Sequence, residues 1–274
     1  AAISAARQLQ WNNKAITETY EPGSVFKVFT TAMALEEGLA NDNTCFACKG
    51  VINVGGWNVH CHTRTHMGIL TLPEAISKSC NPYFVQLGLR VGASTYYKYF
   101  NGFGFTEKTG VDMNGEQDYR IFHSLETLQN SEASLATASF GQTFQVSAIQ
   151  MITGVSAIAN GGNLMVPYLV GSVVDSEGNI ISETEPTVKR KVISEDTAKK
   201  VTQMMTAVVN DGTGRNAKID GYTVAGKTAS AQKLDDNAEN EVYVASFVCF
   251  APADAPEVAI LVGVAASVGA MYID

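Results

Sequence analysis

The sequence predicts a mixed α+β domain with helices packed on an antiparallel sheet, on three observations. Helix-like segments with caps and glycine stops recur along the chain up to Ala159. The last quarter is strand-like over Tyr222 to Ala225, Val242 to Phe250 and Val258 to Val264, joined by polar or proline-bearing turns. No repeat, low-complexity tract or long charge run interrupts the 274 residues, 46% of them apolar, which is bulk for one large domain or two small ones. Helices early and antiparallel strands late form a layered α+β arrangement rather than alternating βα units.

Taken in order, the first clear helix starts at Ser24 and runs through Val28, Phe29, Ala32, Met33 and Leu35 to Gly38. Its apolar residues cover most of the surface, which marks a buried helix closed by a C-cap glycine. Residues 41–70 read as loop-rich, with a turn at Gly55-Gly56 and every histidine except His123. Thr71-Leu72-Pro73-Glu74 is a capping box with proline in the first turn, opening a helix that ends near Ser79. After Pro82, Tyr83 to Val91 read as a helix closed by Gly92. Ser147 starts another that runs to Ala159 and stops at Asn160-Gly161-Gly162. The alternation from Val170 to Ile181, broken by Ser176-Glu177-Gly178-Asn179, is a hairpin signal, and Ser194 caps a helix through Val201, Met204, Met205 and Val208.

A net charge of -8 and a pI near 5.1 argue against nucleic acid or an anionic membrane surface as the main partner. No stretch has the eighteen apolar residues of a membrane span, and the opening Ala1-Ala2-Ile3-Ser4 lacks a signal peptide's pattern. Because Ala5 to Trp11 look like continuing structure, the chain reads as an excised domain whose anchor lies elsewhere.

Three short motifs carry chemistry. In Tyr20-Glu21-Pro22-Gly23-Ser24-Val25-Phe26-Lys27, Ser24 and Lys27 are one helical turn apart, so the amine can reach the hydroxyl. Alone, an S-x-x-K pair also describes a capped, solvated helix start. Ser79-Cys80-Asn81 can aim a hydroxyl and an amide into one cleft, or be a turn at a helix end. Lys227-Thr228-Ala229-Ser230 sets a lysine beside two hydroxyls on a strand edge, suited to a carboxylate and to pairing with an extended peptide. The same segment also fits an edge strand with a gatekeeper lysine.

In this order the three motifs match the set of active-site serine β-lactamases and penicillin-binding proteins. The flanks narrow the match: Asn81-Pro82, Phe103-Gly104-Phe105 through Asp112, Ser139-Phe140-Gly141-Gln142, Asp211-Gly212-Thr213-Gly214 and Val224-Ala225-Gly226-Lys227-Thr228 resemble class B penicillin-binding proteins. Within that family the chain is most similar to sporulation and elongation transpeptidases of Gram-positive bacteria, from about Trp11 to Val264. The resemblance implies a penicillin-binding protein/serine β-lactamase-like fold with a mostly helical subdomain. Residues 1–274 would form one transpeptidase domain, with the membrane anchor and pedestal of the full-length, extracytoplasmic protein absent. It implies a D-Ala-D-Ala transpeptidase that crosslinks peptidoglycan stem peptides from lipid II, is acylated by β-lactams and works beside a glycosyltransferase. Ser24 would be the nucleophile, Lys27 its base, Ser79 a proton shuttle, Asn81 a substrate-orienting amide and Lys227 a second cation. Thr228 and Ser230 would bind the terminal carboxylate, and the N–H groups of Ser24 and Ser230 would form the oxyanion hole. Where the family has glycine after Lys-Thr this chain has Ala229, whose methyl is expected to crowd the substrate or the antibiotic.

A serine β-lactamase or β-lactam sensor is the competing outcome of the same motifs. Glu126 and Asn130 have the spacing of a class A deacylating base, but their surroundings do not resemble a lactamase loop. A non-catalytic, zinc-stabilised scaffold would have no need of five intact polar positions.

The five cysteines, Cys45, Cys48, Cys61, Cys80 and Cys249, are odd in number and clustered, unlike a disulfide framework. Cys45, Cys48, Cys61 and His66 approach a structural Cys3His zinc pattern, which similar sporulation-type transpeptidases also carry. His60, His62 and Cys80 are alternative ligands, Cys80 being more simply a small buried residue, and a disulfide or free thiols compete with the metal. No organic cofactor is implied.

Overall fold

The computed structural model describes residues 7, 10–63, 68–116, 118, 121–233 and 242–267. Helix α1 (Lys14–Thr17) and the short strand β1 (Thr19–Tyr20) lead into a 3-10 turn at Gly23–Phe26, which continues as α2 (Lys27–Glu36). The ribbons β2 (Cys45–Cys48), β3 (Val51–Val54), β4 (Trp57–His60) and β5 (Gly68–Thr71) follow, then α3 (Leu72–Ser77), α4 (Asn81–Val91) and α5 (Ala93–Gly102). Next come α6 (Leu125–Asn130), α7 (Glu132–Ser139), β6 (Val146–Ser147) and α8 (Ala148–Ala159). The third quarter holds β7 (Asn163–Met165), β8 (Ser172–Val174), β9 (Ile180–Glu183), β10 (Val188–Lys191) and α9 (Glu195–Asp211). The chain closes on β11 (Ala225–Lys233), β12 (Val242–Ala251) and β13 (Val258–Ser267).

The last three strands form an antiparallel sheet in the order β11-β12-β13, with Thr228 opposite Phe247 and Phe247 opposite Val262. Helix α9 packs on β11, and α8 on β12 and β13. The α+β expectation holds, and the helical part surrounds the turn that carries Ser24. Phe26 contacts Phe29, Phe100, Phe105 and Phe144 at ring-centroid distances of 5.3, 5.8, 5.5 and 4.8 Å. The Phe26–Phe144 pair is edge-to-face at 72° and the others are tilted. Aromatic pairs of this kind add about 0.5–1.5 kcal/mol each beyond area burial, so the turn carrying Ser24 rests on an apolar base.

Both capping boxes form: Glu74 accepts from the Thr71 backbone N–H at 2.8 Å and Gln150 from that of Ser147 at 2.9 Å. Gly38, at φ +64, lets the Leu39 N–H turn back to the Ala34 carbonyl, closing α2 as the sequence predicts. The hairpin forms as β8 and β9, with Asp175 accepting from the Glu177 and Asn179 N–H groups in its turn.

Three expectations change. Residues 41–70 are not plain loop: β2 pairs with β5, and β3 pairs with β4 around the Gly55-Gly56 turn. The first of the late strands begins at Ala225 rather than Tyr222, since Tyr222 closes a turn back to Ile219. The helix expected from Ser24 begins three residues later, because Gly23 at φ +54 starts a 3-10 turn first.

Candidate active site

That correction brings the first pair closer together. With three residues per turn, side chains at i and i+3 of a 3-10 segment eclipse. Lys27 Nζ accordingly lies 2.9 Å from Ser24 Oγ. Strand β11 packs on the same turn so tightly that a Cβ on Gly23 would sit 3.1 Å from the Ser230 carbonyl oxygen.

Lys27 is fully buried and donates to the Ser79 carbonyl at 2.7 Å, to Ser79 Oγ at 3.1 Å and to Asn81 Oδ1 at 2.7 Å. Lys227, also fully buried, donates to the same Ser79 Oγ at 3.0 Å and to the Thr228 carbonyl at 2.9 Å. Burial pulls the Lys27 ammonium down to about 7, against weaker support from Cys80 and Cys61. Burial, and then the charge of Lys27, hold Lys227 well below the ordinary lysine range. Two buried amines sharing one hydroxyl disfavour each other's charge, so one near neutral pH is a free base.

Ser79 bridges the two amines from a left-handed backbone, φ +53, a costly conformation for a residue with a side chain. Helix α3 has ended at Ser77, and Asn81 opens α4 behind the Cys80 N-cap, so the motif is a tight connection between two capped helices. Asn81 is braced from the other side, its Nδ2 donating to the His60 carbonyl at 3.0 Å.

Ser24, Ser79, Asn81, Thr228 and Ser230 line one cleft of about 460 Å³. Phe247, Val262 and Val264, on the strands beside Thr228, add apolar surface to its lining. Alternation along β11 turns Lys227, Ala229 and Ala231 towards the core and Thr228 and Ser230 towards the cleft. Ala229 therefore belongs to the core cluster, and it also borders the cleft between Thr228 and Ser230. Thr213, which belongs to none of the three motifs, also lines the cleft and accepts from Thr228 Oγ1 at 2.8 Å. Its signal was the Asp211-Gly212-Thr213-Gly214 block: a Cβ on Gly212 would stand 2.5 Å from Ser77 Oγ, so glycine is what lets the block reach the site. His62 lines the cleft as well.

The cysteine set differs from the expected one. Cys48, Cys61 and Cys80 bring their sulfurs within 4.8 Å of one another, with Cys61 and Cys80 4.0 Å apart. Cys45 is exposed and its thiol donates to the Asn43 carbonyl. It lies three residues before Cys48 on β2, and positions of odd separation on a strand point to opposite faces. His66 lies outside the described residues. Four ligands around one zinc at Zn–S of about 2.3 Å stand roughly 3.8 Å apart, so the three sulfurs fit one ion better than a disulfide, whose sulfurs are about 2.05 Å apart. Contact with Cys61 and burial push the Cys80 thiol up, so a thiolate there calls for a cation.

Comparison with known proteins agrees with this geometry. The family described as Penicillin binding protein transpeptidase domain matches residues 2–270. Stage V sporulation protein D of Bacillus subtilis is 42% identical over 92% of this chain and 39% of its own length. Penicillin-binding protein PbpB of Mycolicibacterium smegmatis is 31% identical over 90% of the chain and 39% of its own length. The chain thus spans about two fifths of these curated relatives. Among solved structures, the D,D-transpeptidase domain of a peptidoglycan glycosyltransferase from Eggerthella lenta superposes with a TM-score of 0.84 at 32% identity, over 96% of this chain and 65% of that one. Penicillin-binding protein 3 of Mycobacterium tuberculosis, complexed with aztreonam, gives 0.84 at 31% identity, over 94% and 60%. A serine and two buried lysines meeting at one hydroxyl, on a fold matched from end to end, make this chain a member of the penicillin-binding protein transpeptidase family.

Proposed function

We propose that this chain is the transpeptidase domain of an enzyme that crosslinks peptidoglycan stem peptides, and that β-lactams acylate it at Ser24. One observation carries the reading: Lys27, lowered to about 7 by burial, lies 2.9 Å from Ser24 Oγ and shares Ser79 with Lys227. Neutral Lys27 takes the Ser24 hydroxyl proton as Oγ bonds to the carbonyl carbon of the penultimate D-Ala. The N–H groups of Ser24 and Ser230 hold the oxyanion. As the C–N bond to the terminal D-Ala breaks, the proton passes through Ser79 to the leaving amine. Asn81 orients the donor backbone, and Thr228 and Ser230 hold the terminal carboxylate. An acceptor amine on a neighbouring strand then attacks the acyl-enzyme, gives a proton back to the same relay and restores Ser24.

Relatives named peptidoglycan D,D-transpeptidase PbpA and structures with aztreonam and ampicillin support the substrate class and the antibiotic. The name of the Bacillus subtilis relative favours a sporulation-type enzyme. Because the matched relatives are much longer, we also propose that the full protein acts from a membrane anchor outside the cytoplasm, beside a glycosyltransferase. Among the described residues no helix is long and apolar enough to cross a membrane. Cys48, Cys61 and Cys80 would hold a structural zinc ion, whose charge stabilises the thiolates and ties β2 and the loop after β4 to the start of α4.

Intact-mass measurement of the chain after penicillin exposure tests the reading. The expected result is one long-lived penicilloyl adduct that disappears in Ser24→Ala. An adduct that persists in that variant refutes the assignment, and rapid loss of the adduct favours a β-lactamase. Metal analysis of the same sample is expected to give about one zinc per chain.

A further inference from the structure

Among the described residues, the non-glycine positions with positive φ are Ser79, inside the site, and Thr143, outside it, at φ +67. Thr143 follows Gly141-Gln142 in the turn after α7. Glu21, three residues before the nucleophile, accepts the Thr143 backbone N–H on Oε1 at 3.0 Å. The Thr143 hydroxyl pairs with His123 Nε2 at 2.9 Å and with Thr137 Oγ1 at 2.8 Å. A β-branched residue reaches this backbone region only when its surroundings hold it there.

What the strained turn presses on is the nucleophile's own turn. The Gly23 N–H donates to the Gly141 carbonyl at 2.8 Å, and a Cβ on Gly141 would sit 2.0 Å from the Gly23 carbonyl oxygen. Gly23 adjoins Ser24, whose N–H is one of the two donors assigned to the oxyanion. The half-buried Glu21 carboxyl is raised by burial, against the support of that one N–H, a costly way to make a structural tie.

We propose that Glu21 is a positioning residue for acylation: it holds Thr143 in the left-handed conformation, which seats Gly141 against Gly23 and fixes the Ser24 N–H that receives the oxyanion. The inference rests on the acylation reading above. It makes Glu21-Pro22-Gly23 and Phe140-Gly141-Gln142-Thr143 two halves of one clamp.

The test follows fluorescent penicillin acylation of the 274-residue chain and separates the acylation rate constant from the preceding binding constant. Glu21→Ala is expected to lower the rate constant about 10- to 100-fold with binding within about 3-fold. Glu21→Gln, whose amide oxygen accepts the same N–H, is expected to stay within about 3-fold of wild type. In a Thr143→Gly background, where the positive φ needs no holding, Glu21→Ala is expected to cost less than about 5-fold. Glu21→Asp, which withdraws the oxygen by one methylene, replaces the alanine variant if that one does not fold. An equal loss in both backgrounds, a loss confined to binding, or Glu21→Gln as damaging as Glu21→Ala overturns the proposal. Absence of acylation in wild type would instead refute the function reading and is scored separately.

Discussion

Replacing Lys27 by methionine should separate activity from stability at one position. The methionine side chain is nearly isosteric, so the buried volume is kept while the amine goes. Burial has moved this lysine from 10.5 to about 7, and at about 1.36 kcal/mol per unit the protonated form carries a folding penalty on the order of 4–5 kcal/mol. The sign follows from linkage: between those two values the unfolded chain holds a proton that the native chain does not, so stability rises with pH across the window and the full penalty applies below it. Methionine removes the penalty but leaves the Ser79 carbonyl and Asn81 Oδ1 without their donor, each loss worth about 1–3 kcal/mol. The opposing effects nearly cancel, so at pH 7 the variant should lie within about 2 kcal/mol of wild type. It also relieves Lys227 of a neighbouring charge. Urea unfolding of both proteins at pH 7, 8 and 9 checks this, and taking their difference removes the thiols from the comparison. Wild type should gain roughly 2 kcal/mol relative to Lys27→Met between pH 7 and 9. Acylation by penicillin should fall about 100- to 10,000-fold in the variant, while in wild type it should rise as pH passes about 7. A variant that acylates normally, or a stability difference that is flat over that range, would refute the account of Lys27 as a buried free base.

Other substitutions probe the surroundings. Gly141→Ala places a methyl against backbone 2.0 Å away at a φ of +90 and should cost about 2–4 kcal/mol, read by denaturant unfolding and by slowed acylation. Ala229→Gly removes a core methyl that is 7% exposed; a loss of about 1–2 kcal/mol with acylation within about 3-fold would place that methyl's effect in packing rather than in antibiotic contact. Cys48→Ser should lower the zinc content and the thermal midpoint together, whereas Cys45→Ser, whose thiol is exposed and away from the sulfur cluster, should change neither.

Ser24, both lysines and the Ser79-Cys80-Asn81 connection were legible because each belongs to a short local motif. Caps at Thr71, Ser147 and Ser194 were equally plain, since a cap is a local hydrogen bond between residues three apart. Long-range decisions were not legible. Which sulfur joins Cys48 depends on the face of β2, and Cys80 arrives from a different helix. The place of Ala229 needed the direction of β11 relative to the core. Glu21 meeting Thr143 is a contact across 122 positions, and neither residue is unusual where it stands. The apolar face of the sheet at Val262 and Val264 could be read as strand but not as the wall of a cleft.

Ser79 Oγ, within 3.1 Å of one lysine and 3.0 Å of the other, makes the site a closed account of protons. A hydroxyl that accepts from one amine can donate to the next group in line, so under the proposed reading a proton lifted from Ser24 has a path to the leaving nitrogen through Ser79. In the proposed reaction the relay gives up one proton with the departing D-Ala and takes one back from the incoming amine. Across a full turnover the charge buried beneath the cleft returns to where it began. Such a centre can run an acid step and a base step in succession without waiting on solvent.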